Sequence, residues 1–140
     1  MGKLFALLMP LGRLLLSMIF LVSAAGKVMD WGGTAIYMEA KGIPLTPVFL
    51  VGAILFETAG GLMILLGFKA RIGVVVLLVF LIPTTVIFHN FWSFEGQEQQ
   101  MQMIGFLKNL SIMGGLLMIL GGGAGYFSID NRKTASSIVS

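Results

Sequence analysis

A chain of 140 residues that is 57% hydrophobic and only 11% charged cannot cover itself with a water-facing surface, since soluble domains carry about 25% charged residues. Mean hydropathy of +0.98 makes lipid the expected solvent, and the net charge of +3 comes from basic residues near segment ends, not from a nucleic-acid-binding cluster. The chain has no cysteine, which excludes disulfides, thiol relays, iron–sulfur clusters and thiolate metal sites, and its single histidine supplies no metal-ligand set.

The first apolar segment runs from about Leu4 to Val28 and contains Arg13. Lys3, the apolar core Leu14 to Val22 and Ser23-Ala24-Ala25 have the look of a secretory signal. The run to Gly26 is long enough to span, however, and is read as a retained helix. A loop follows, from Trp31 to Pro47, in which Thr34 to Lys41 is expected to lie on the outer surface as a short helix. The second segment, about Leu45 to Phe68, carries Glu57 in its middle. The third, about Ile72 to Phe91, contains Pro83 and ends on His89 and Asn90; Pro83 with Thr84 and Thr85 is expected to kink it. The fourth, about Gln102 to Gly123, contains Lys108 and Asn109. Each is close to the roughly 20 residues that cross a 30 Å hydrocarbon core. The runs are continuous, not alternating, and helices satisfy their own backbone in lipid. The expected fold is therefore all-α, an antiparallel bundle of four transmembrane helices over residues 1–130.

Lys3, the pair Lys69 and Arg71, and the pair Arg132 and Lys133 fall on one side of such a bundle. The positive-inside rule makes that side, with both termini, cytoplasmic. Trp31 and Trp92 fit an aromatic belt at the other boundary. The polar tail 131–140 is expected to be disordered. Gly60-Gly61-Leu62-Met63-Ile64-Leu65-Leu66-Gly67 is echoed by Gly114-Gly115-Leu116-Leu117-Met118-Ile119-Leu120-Gly121. The echo suggests two repeated helical hairpins, with small residues letting backbones approach closely.

Polar groups within lipid are expensive and mark function. At 1.5 Å rise per residue, Glu57 falls roughly 18 Å and Arg13 roughly 20 Å from the outer edge. The expectation is an Arg13–Glu57 ion pair facing the bundle interior. Lys108 and Asn109 fall roughly 10–12 Å deep and are expected to form an upper polar layer. With Lys27, His89 and Asn90 they complete a candidate cavity opening outward. A carboxylate, a histidine and a lysine in a dry cleft suit a polar head group or a proton relay. A quinone fits such a site, because its carbonyls accept hydrogen bonds and its tail needs lipid access. No nucleophile–base pair, phosphate loop or metal site is evident.

Gly12-Arg13-Leu14-Leu15, Phe20 to Lys27, Glu57-Thr58-Ala59-Gly60-Gly61, His89-Asn90-Phe91-Trp92, Phe106 to Leu110 and Gly114 to Leu117 follow one another in an order and spacing that resembles the DoxX family of small bacterial membrane proteins. The resemblance spans about Gly12 to Asp130. It implies a four-helix inner-membrane protein whose recurrent polar residues are Arg13, Lys27, Glu57, His89, Trp92, Lys108 and Asn109. The family is named from subunits of a thiosulfate:quinone oxidoreductase, and some members are linked to membrane redox and oxidative-stress complexes. The function expected is the membrane subunit of a quinone-linked oxidoreductase, with quinone as a non-covalent ligand. The expected partners are the bilayer and oxidoreductase subunits or soluble redox proteins, and self-association is compatible with the sequence. Two alternatives are a non-catalytic anchor for soluble partners and a small transporter or lipid-binding protein.

Overall fold

The computed structural model describes residues 2–132. Its helices are α1 (Gly2–Met29), α2 (Trp31–Ala40), α3 (Thr46–Leu66), α4 (Ala70–Phe88) and, after a 3-10 turn at Phe91–Ser93, α5 (Gly96–Gly122). Four of them, all but α2, are long and apolar enough to cross a membrane. The expected segments are thus all found. The last begins earlier than expected, because the polar run Gln97 to Gln102 is helical too. Of the expected disordered tail, 133–140 lies outside the described residues, while Asn131 and Arg132 continue a helical turn that begins at residue 129.

The α3–α4 hairpin closes through two left-handed residues, Gly67 (φ 60°) and Lys69 (φ 45°). Gly67 is required there twice over. Its φ favours glycine, and a Cβ would stand 2.5 Å from Arg13 Nη1 and against Ser128. The hairpin helices meet glycine to glycine: a Cβ at Gly60 would lie 3.2 Å from the carbonyl of Gly73, and one at Gly73 would lie 3.3 Å from the carbonyl of Gly60. Close backbone contact of this kind substitutes in lipid for the hydrophobic effect. The core behind it is Phe20, Ile64, Val74, Leu77, Leu81, Leu116 and Ile119. The echoed glycines of α5 behave differently. Gly114 faces open space, and a Cβ on Gly115 would meet only Leu16 at ordinary contact distance. The repeated motif is therefore used for close helix approach in α3 alone.

Helix α4 runs unbroken through Pro83. Thr84 and Thr85 donate their hydroxyls to the carbonyls of Phe80 and Leu81, one turn back, at 2.7 and 2.6 Å. The hydroxyls thus keep neighbouring carbonyls bonded in the turn where proline removes a donor.

The register of α1 on α3 decides everything that follows. Arg13 stands beside Gly67, Phe20 and Leu21 beside Gly61, and Lys27 beside Glu57. Lys27, two residues before the end of α1, stands beside Glu57, eleven residues after Thr46, so α1 ends about 13 Å below the start of α3. The space left above it is taken by α2. Asp30 caps this helix, its carboxylate accepting from the Gly33 amide at 3.1 Å. Tyr37 packs against Phe88 with ring centroids 5.3 Å apart, and Met38 is buried. The short helix expected on the outer surface is thus built into the bundle as the wall over the end of α1.

Candidate functional site

The expected Arg13–Glu57 pair does not form. Both residues are buried, but they sit at different levels. Depth matching placed Gly26 level with Leu45, whereas the packing slides α1 toward the hairpin end. Arg13 donates from Nη1 to the Ala124 carbonyl (2.8 Å) and from Nη2 to the Phe127 carbonyl (2.6 Å). Its Nε is buried without a hydrogen-bond partner. Asp130 completes this staple. Its carboxylate accepts from the amides of Lys69 (2.7 Å) and Ala70 (2.9 Å), capping α4, while its own amide donates to the Gly67 carbonyl at 2.9 Å. Arg13 and Asp130 together tie the segment after α5 into the α3–α4 turn.

Glu57 is paired instead with Lys27. Lys27 Nζ donates to Glu57 Oε1 at 3.1 Å and to Ser23 Oγ at 2.6 Å. Glu57 Oε2 lies at 2.8 Å from the same nitrogen but outside hydrogen-bonding geometry, and it has no donor of its own. The glycines one turn further along α3 explain the burial. Gly60 and Gly61 let α4 and α1 close against the helix on the same side as the carboxylate, so protein and not lipid surrounds the charge. The ammonium lies 5.9 Å from the centroid of the Phe80 ring on α4.

The pair faces a cavity of about 1170 Å³ walled by all five α-helices or their connections, with Ser23, Lys27, Thr34, Tyr37, Lys41, Glu57, Thr84, His89 and Asn109 as its polar lining. The remainder of the wall is apolar, from side chains such as Phe20, Phe49, Phe56, Phe80 and Ile87. His89 rests against the bare backbone at Gly105, where a Cβ would stand 2.5 Å from Nδ1. Its Nδ1 lies 3.0 Å from Gln102 Oε1. Asn109 Nδ2 donates to Thr85 Oγ1 at 3.0 Å, joining α5 to α4.

Four of the expected site residues, Lys27, Glu57, His89 and Asn109, are therefore brought to one cavity. Lys108 is not: it is exposed on α5, because successive helical residues point about 100° apart and Asn109 takes the inward face. Trp92 is not either. It is 55% exposed and packs edge-on against Phe91 and Phe106 at the mouth of the bundle. Sequence reasoning missed Ser23, although its four-residue spacing from Lys27 is a legible helical pair. It also missed Tyr37 and Lys41, whose place in the cavity depends on how α2 folds back.

Among the described residues no group of three His, Cys, Asp or Glu side chains is placed to hold a metal ion. The site offers an ammonium with a donor to spare, a buried carboxylate and a hydroxyl, facing an apolar volume. These groups can orient a polar head that accepts hydrogen bonds.

Residues 8–90 match the family model described as DoxX. The chain is similar to the Escherichia coli (strain K12) inner membrane protein YphA, 32% identical over 125 residues and covering 89% of each chain. It is 39% identical over 124 residues to inner membrane protein YqjF of the same organism, covering 86% of this chain and 90% of the relative. A surfeit locus protein 4 homolog of Schizosaccharomyces pombe is 36% identical over 97 residues, 68% of this chain but 31% of that protein. No solved structure matches.

Proposed function

The chain belongs to the DoxX family and is a multi-pass inner-membrane protein, and from that premise we propose that it is the membrane subunit of a quinone-linked oxidoreductase or redox-stress complex. The observation that carries this reading is the Lys27–Glu57 pair at the wall of a large apolar cavity, with Glu57 Oε2 lacking a donor. Ligand cavities are mostly apolar with a few placed polar groups, and this one has that character. Lys27 retains N–H capacity beyond Ser23 and Glu57 and holds a carbonyl oxygen of the quinone head. Glu57 holds the ammonium in position within the low-dielectric interior. The quinone supplies two-electron chemistry whose reduced form carries added protons. The Lys27–Glu57 pair is suited to hold one such proton beside the site.

The test is equilibrium binding of ubiquinone and menaquinone analogues to the protein purified in nanodiscs. Saturable binding is expected. Lys27→Met should weaken it about tenfold or more, the value of a hydrogen bond from a charged donor. Glu57→Gln should weaken it less. No saturable binding, or binding indifferent to both substitutions, sinks the reading and leaves the anchor for soluble partners as the better account.

A further inference from the structure

The cavity has a second charged end. Lys41, at the end of α2, lines the same volume as Lys27. Its Nζ reaches the side-chain oxygen of Asn90 at 3.5 Å. Phe80, the ring beneath Lys27, stands eight residues before the end of α4 at Phe88, and Asn90 lies beyond that end, so the surroundings of the two ammonium groups are separated by about 12 Å of helix. Lys41 is half-buried, and its other polar neighbours are aromatic faces: its nitrogen is 5.1 Å from the Phe94 ring centroid and 5.9 Å from that of Tyr37.

The charges along the lining do not balance. Lys27 is matched by Glu57, but among the described residues Lys41 has no carboxylate within ion-pair distance, and Glu57 is the acid on the cavity wall. A lysine ammonium has three donors. Here one makes a long bond to a neutral amide, and the ring faces attract the charge without accepting it in full. An uncompensated cation over an apolar volume favours a bound anion, because the attraction is weakly screened there.

We propose that Lys41 is the anion-binding group of a second subsite in the cavity, which takes the carboxylate or phosphate head of a single-chain acidic amphiphile. The acyl chain runs inward along the apolar wall toward Phe49 and Ile87. The subsite lies at the other end of the cavity from the Lys27–Glu57 pair and uses a different charge, so it stands or falls apart from the quinone reading.

The experiment measures binding of palmitate, its methyl ester, lysophosphatidate and inorganic phosphate to the full chain in a non-ionic detergent. Either acidic lipid should bind about tenfold or more tightly than the neutral ester, which lacks the charge-assisted contact. Lys41→Gln should abolish that preference and Lys41→Arg should retain it, while Lys27→Met and Glu57→Gln leave it in place. Lys41→Gln should keep the thermal midpoint and the size-exclusion profile of the parent chain, which reports that the variant is folded. Equal binding of palmitate and its ester overturns the proposal, as does an acid preference that survives Lys41→Gln. Inorganic phosphate binding as tightly as lysophosphatidate would make the ligand an aqueous anion and overturn the amphiphile assignment.

Discussion

Lys27 Nζ stands 2.8 Å from Glu57 Oε2 across the α1–α3 interface, with the carboxylate almost fully buried and the lysine 20% exposed toward the cavity. Two charges in this position are coupled to folding. Their asymmetry gives the first prediction. Lys27→Met leaves a buried carboxylate without a partner and should cost about 3 kcal/mol. Glu57→Gln leaves a lysine that keeps Ser23 and can turn into the cavity, so its cost should be about 1 kcal/mol. Reversible unfolding in mixed detergent would measure both. The double variant should recover part of the Lys27→Met loss. Strict additivity would mean that the two charges do not interact.

The Arg13 staple yields the second. Arg13→Gln removes charged donors from the Ala124 and Phe127 carbonyls, a loss of about 1.5–3 kcal/mol. The segment from Gly123 to Asp130 should then become sensitive to limited proteolysis. Combined with Glu57→Gln the effects should add, because the two side chains sit at different levels of the bundle. A coupling well beyond the roughly 0.5 kcal/mol scatter of independent sites would restore the direct pair that depth alone suggested.

The glycine echo supplies the third. Gly60→Ala would drive a methyl to 2.5 Å from Leu77 Cγ and 3.2 Å from a backbone oxygen, so it should destabilise by about 1–3 kcal/mol. Gly114→Ala meets nothing within 4 Å and should be neutral or slightly stabilising, as helix propensity favours alanine. Thermal shifts of the purified variants in one detergent distinguish the two. Equal effects would mean that α5 has a close partner at Gly114.

Topology is the fourth. The α3–α4 turn with Lys69 and Arg71 sits at the same end of the bundle as the segment bearing Asp130, and short basic connections are retained in the cytoplasm. Alkaline phosphatase fused after residue 140 should be inactive, and the same reporter inserted between Glu95 and Gly96 should be active. The reverse pattern would invert the protein.

The four spans were legible because a continuous apolar run of membrane length has few other stable forms, and the resemblance to the DoxX family rested on residues that stand in the chain in order. Lys27, Glu57, His89 and Asn109 were also legible, as polar side chains where lipid leaves few uses for them. Periodicity along a single helix carried this much, since it depends on nothing beyond neighbours in sequence.

The pairing of those charges was decided by tertiary structure. Glu57 has Lys27 and not Arg13 as its partner because Gly61 seats Phe20 and Leu21, and Gly67 seats Arg13. Those contacts slide α1 toward the hairpin by about ten residues, close to three helical turns. Length and hydropathy say which residues lie in lipid, but two antiparallel helices can slide past each other without changing either. Only packing of particular side chains on particular glycines chooses the register, and with it the site. The same slide opens the space that α2 fills, which brings Lys41 to a cavity that its place in the sequence does not suggest.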